Sequence, residues 1–81
     1  IKKESIEKLE QREKEILEIM VDMDKIGIHS CTIVIRQARR DGIASERETT
    51  RILKTLHALN RIATHGDEFT IMIPLTEEEM K

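Results

Sequence analysis

Three glycines, at positions 27, 42 and 66, constrain this chain more than any other feature. Each lies where one periodic pattern stops and another begins, so each marks a turn. The stretch before Gly27 reads "IKKESIEKLEQREKEILEIMVDMDK", with apolar residues at Ile6, Leu9, Ile16, Met20 and Met23. Steps of three, four and seven are the spacing of one helix face, and they predict a first helix that is firm from Arg12 to Lys25. Glu4 with Lys8 and Glu10 with Lys14 add weak support at i,i+4. The first eleven residues carry only a thin apolar stripe. They read as a frayed arm, a linker from a preceding domain, or half of a homodimer seam built on Ile6 and Leu9.

Between Gly27 and Gly42 the signals conflict. Ile26 and Ile28 flank the glycine as a short strand would. Ser30 is placed to cap a second helix over "CTIVIRQARR", which Asp41-Gly42 ends. The β-branched run Thr32-Ile33-Val34-Ile35 reads locally as strand. Ala38, however, follows Val34 by four and Ile35 by three, which is helical spacing, so a helix is predicted.

Ser45 followed by Glu48 forms a capping-box pattern and sets the start of a third helix over about residues 45–61. Ile52, Leu53, Leu56 and Leu59 are its expected buried stripe. "RIATH" and "EFTIMI" bracket Gly66-Asp67, a pair suited to a two-residue hairpin turn. Pro74 ends the second strand and "LTEEEMK" reads as a solvated tail. The expected organisation is an arm over 1–11, a domain over 12–74 and an acidic tail over 75–81. The fold class is mostly α with a small antiparallel β-hairpin.

Size and composition narrow the function. Eighty-one residues suffice for one small domain with a modest core. Phe69 is the lone aromatic, so Ile, Leu, Val and Met must fill that core, with Met20, Met23 and Met72 among them. The single cysteine, Cys31, provides no intrachain disulfide, which fits a reducing compartment and a cytoplasmic location. No run of about 18 apolar residues exists to span a membrane, and no signal peptide is visible. The chain begins at Ile1 and reads as a piece of a longer protein or a processed product.

The net charge of −2 conceals a division. Residues 1–25 carry six Lys/Arg and eight acids, residues 26–65 seven against three, and residues 66–81 one against five. Positive charge is thus concentrated in the middle, together with all three histidines, and its placement speaks to partners more than the total does.

Catalytic and metal chemistry find little footing. His29, Cys31, His57 and His65 make a zinc set only on paper, because H-x-C is not a finger or knuckle spacing. A Cys–His nucleophile pair lacks an orienting third group. None of the glycines belongs to a phosphate loop. Cys31, near the start of the second helix, would have either a lowered pKa or the role of a small buried filler. No metal, no cofactor and no enzymatic activity are expected.

Element order (helix, short strand, helix, tight turn, helix, strand, turn, strand) resembles the winged helix-turn-helix superfamily over Arg12 to Pro74. The segments "ILEIM", "VIRQARRDGI", "ILKTLHALNRI" and "DEFTIM" look like the C-terminal winged-helix domain of archaeal minichromosome maintenance (MCM) helicases. There an apolar helix likewise leads through an A-x-x-x-G-I turn to a leucine-rich helix and a hairpin. Ala38-Arg39-Arg40-Asp41-Gly42-Ile43 matches that turn. In the wing, "THGDEFTI" stands where a Pro and a Gly-Tyr pair are usual.

The resemblance implies a third helix that packs one face on the first two and offers the other to the major groove of double-stranded DNA. Arg47, Thr50, Arg51, Lys54 and Arg61 fall on the face away from Leu56. Cationic side chains there suit phosphates and guanine edges, and Thr50 suits phosphate or a thymine methyl. Arg36, Arg39 and Arg40 on the second helix would add phosphate clamps. A charged stripe is ordinarily just a solvated face, but a basic middle between acidic flanks argues for nucleic acid. Asp67 and Glu68 at the hairpin tip are expected to repel phosphate. The function expected is a nucleoid-associated transcriptional or replication regulator. The alternative is a regulatory, protein-interaction module of a larger replication helicase.

Overall fold

A computed structural model describes residues 9–75 of the chain. In order, it comprises α1 (Gln11–Lys25), α2 (Cys31–Arg40), α3 (Glu46–Ala58), β1 (Ile62–His65) and β2 (Glu68–Ile71). The fold is mostly helical with one antiparallel hairpin, as the spacing predicts.

The helices end by a common device. Gly27, Gly42 and Asn60 take left-handed φ values of +83°, +73° and +62°. The next N–H in each case reaches back five residues: Ile28 to Met23 O at 2.8 Å, Ile43 to Ala38 O at 2.9 Å, Arg61 to Leu56 O at 2.9 Å. This closure satisfies carbonyls that a helix end otherwise leaves open. Asn60 is the stop that was not legible as one: α3 ends at Ala58, short of residue 61. Its short polar side chain makes it one of the few non-glycine residues that visit this conformation.

The helix starts are equally local, with one exception. Glu13 accepts the Glu10 N–H at 2.9 Å in front of α1, and Ser45 Oγ accepts the Glu48 N–H at 3.1 Å in front of α3. The box at α3 is half formed, because the Glu48 carboxylate turns instead to the Arg12 guanidinium and ties α3 to α1. At α2 the Ser30 hydroxyl accepts from Ile33 N at 3.4 Å, and the remaining donors look outside the helix. Cys31 N–H donates to Asp67 O at 2.7 Å and Thr32 N–H to Asp67 Oδ1 at 3.1 Å. The hairpin turn thus sits on the N-terminus of α2, and this distant cap lets a β-branched run fold as helix.

In the hairpin, Ile62 pairs with Ile71, Ala63 with Thr70, Thr64 with Phe69 and His65 with Glu68. Only Gly66 of the two-residue turn has positive φ (+65°), the pattern of a type II′ turn with glycine first. Strand alternation puts Ile62 and Phe69 on one face, and both are buried. The expected strand at Ile26 and Ile28 does not form. Gly27 closes α1 there, Ile26 is exposed, and the extended contact comes later, as a bridge between Ser30 and Glu68.

The core gathers Leu9, Ile16, Leu17, Met20 and Met23 with Val34 and Ala38 of α2, Ile52, Leu53 and Leu56 of α3, and the hairpin's Ile62 and Phe69. Burying each large side chain contributes about 1.5–3 kcal/mol. Three expectations need correction. Leu9, assigned to an arm, is buried in the chain's own core. Its packing there meets the need that a dimer seam was expected to meet; Ile6 lies outside the described residues. Leu75, assigned to the tail, packs against the core. Met72 is 58% exposed, because it follows Ile71, whose side chain shares the inward face with Phe69, and so falls on the outward side.

Candidate nucleic-acid interface

α2 and α3 meet behind the Gly42 turn, and on their solvent side they leave an open trough of about 750 Å3. Its lining comes from two faces. Thr32, Ile35, Arg36 and Arg39 share one side of α2 at steps of three and four; Glu46, Arg47, Thr50, Arg51 and Lys54 share one side of α3. The buried residues Val34, Ala38, Ile52, Leu53 and Leu56 hold the opposite faces on the core, and this fixes which way the cations point.

Six of the eight predicted site residues therefore converge: Arg36, Arg39, Arg47, Thr50, Arg51 and Lys54. All six are exposed. Five cations and one carboxylate, that of Glu46, line the trough, and the Asp67 carboxylate lies at its edge, bonded to Thr32. The Glu46 contact with Arg39 is 4.0 Å between side chains more than 70% exposed, a geometry that solvent screens heavily. The trough is thus an electropositive concavity able to hold an extended anion. The Thr50 hydroxyl donates to Glu46 O at 2.9 Å, so its hydrogen is directed into its own helix.

The other two residues do not join the site. Arg40 is exposed on α2 but does not line the trough. Arg61 is a correction. The apolar spacing puts it on the exposed face of a longer third helix, but Asn60 ends the helix first and turns the chain inward. Arg61 is fully buried, with its guanidinium donating to Ile73 O and Pro74 O at 3.4 Å each. Its own carbonyl accepts from Met72 N–H at 2.8 Å and Ile73 N–H at 3.0 Å. It anchors the segment after β2.

Thr32, Ile35 and Glu46 are trough residues that sequence reasoning missed. A signal was present: Thr32, Arg36 and Arg39 stand at i, i+4 and i+7, and Glu46, Thr50 and Lys54 at i, i+4 and i+8.

At the hairpin tip Asp67 and Glu68 are both exposed, and the Asp67 carboxylate is engaged with the start of α2. That carboxylate accepts from the hydroxyl of Ser30 at 2.6 Å and from the hydroxyl and N–H of Thr32 at 2.8 and 3.1 Å. Those bonds, the Ser30 hydroxyl foremost, hold its pKa below the usual carboxylate value, and the positive end of α2 favours the same charged form. Cys31 shifts opposite to the lowered-pKa reading: partial burial, and then the Asp67 charge, raise its thiol pKa.

The histidines are dispersed. His29 Nε2 lies 2.6 Å from Asp24 Oδ1 and its ring meets Phe69 edge-on at 5.7 Å, whereas His57 and His65 are exposed. Among the described residues no group of three or more His, Cys, Asp or Glu is placed to hold a metal ion. No helix among them is long and apolar enough to cross a membrane.

No protein-family model, curated protein or solved structure matches this chain.

Proposed function

We propose that this chain is a winged helix-turn-helix module that binds double-stranded DNA, with α3 as the docking helix and the β1–β2 hairpin as a short wing. The convergence of five cations from two helices around the α2–α3 trough carries the reading. Thirteen residues give α3 a length of roughly 20 Å, with a diameter suited to the major groove. The role is non-catalytic. Fluorescence anisotropy with short duplex DNA tests it: Arg51→Ala combined with Lys54→Ala should weaken binding and flatten its salt dependence. A binding curve identical to that of the parent chain removes the reading.

A second reading, a module appended to a larger replication protein, draws support from Leu9. With that side chain in the chain's own core, a homodimer on two half-sites loses part of its seam. A single tethered copy needs no such seam. Pull-down with the full-length gene product, scored with and without nuclease treatment, separates protein partners from DNA.

A further inference from the structure

The cations line a concavity, and this bears on what they touch. A DNA groove is itself concave and receives convex elements such as a lone helix. The convex feature of a duplex is the phosphate ridge of each strand. Two rows of cations facing each other across a trough, Arg36 and Arg39 on α2 against Arg47, Arg51 and Lys54 on α3, match such a ridge. The same side chains then have little left for base edges.

The rest of α3 offers only the exposed His57 imidazole in their place. Residues Glu46–Ala58 contain no Asn or Gln, the side chains that read adenine bidentately. The Thr50 hydroxyl hydrogen is spent on Glu46 O. Thr49, Ile52, Leu53 and Leu56 face the core. The hairpin tip adds no reader, since Asp67 is committed to Ser30 and Thr32.

Resting on the DNA-binding reading above, we infer that the α2–α3 trough straddles one phosphate ridge, and that the chain binds duplex DNA with little sequence preference. Each phosphate neutralised contributes about −0.9 to the slope of log K against log salt, so five contacts give a slope of about −4.5.

The test is a titration of several short duplexes of unrelated sequence and composition, together with duplexes enriched by selection from a random pool. Affinities within about tenfold and a slope of about −4.5 support the inference. Arg36→Ala, on the α2 wall, and Arg51→Ala, on the α3 wall, should each lose affinity by a similar factor on every duplex, with circular dichroism unchanged. Enriched duplexes bound more than about a hundredfold better than the rest overturn the inference and leave DNA binding intact. Full activity of Arg36→Ala also overturns it, since only one wall would then be in contact. Absence of binding to any duplex overturns both this inference and the function on which it rests.

Discussion

The Asp67 carboxylate accepts both the N–H and the hydroxyl of Thr32, at 3.1 and 2.8 Å, across 35 residues of sequence. One side chain thereby fastens the hairpin turn to the first turn of α2. Because the partners favour the charged form, the Asp67 pKa is lowered in the folded chain. The unfolded carboxylate titrates near 3.9. The stabilisation is therefore complete above about pH 4 and is lost as pH falls through the lower folded value. Asp67→Asn should lower the urea midpoint at neutral pH, and the gap to the parent chain should narrow below about pH 4. A gap that stays constant with pH would show that the carboxylate's charge is not what fastens the turn.

Leu56 is fully buried in the core that α1, α2, α3 and the hairpin share. Leu56→Ala should cost about 2–5 kcal/mol, a large share of a small domain's stability. Chemical denaturation measures it directly, and a mild effect would contradict the α3 register and so the direction of its cations.

Arg61 should behave as a structural residue. Arg61→Met removes a buried guanidinium bonded to the Ile73 and Pro74 carbonyls, at a cost of about 1–3 kcal/mol. Where the variant is folded, its DNA salt slope should equal that of the parent chain. A slope reduced by about one would return Arg61 to the interface.

Asn60 holds φ +62° at the end of α3. Asn60→Gly should be neutral or slightly stabilising, whereas Asn60→Val should cost about 1–2 kcal/mol or more, because a β-branched side chain is strained there. Thermal melts of the two variants give the comparison, and equal melting temperatures would contradict the assigned conformation.

Leu9→Ala should destabilise the chain by about 2–5 kcal/mol, by an amount independent of protein concentration. A loss that grows on dilution, with a fall in molar mass by light scattering, would place Leu9 in a dimer seam instead.

What the sequence determined by itself was local. Gly27 and Gly42 end helices because few other residues reach left-handed φ cheaply, and Ser30 and Ser45 cap helices through donors three residues away. Gly66-Asp67 closes a hairpin for the same short-range reason. The apolar spacing on α3 then dictated which cations face outward, which is why four of its five expected contacts and most of those on the facing α2 were legible as faces. Arg61 was the exception among them, since its fate depended on a stop at Asn60 that asparagine signals only weakly. Tertiary structure alone decided the rest. Two exposed helix faces became one trough only when α2 and α3 packed across the Gly42 turn. Asp67 became a cap for α2, and Leu9 became core and not seam, because their partners lie far away in the chain. Periodicity reports which side of an element is apolar; it carries no information about which distant group will meet it.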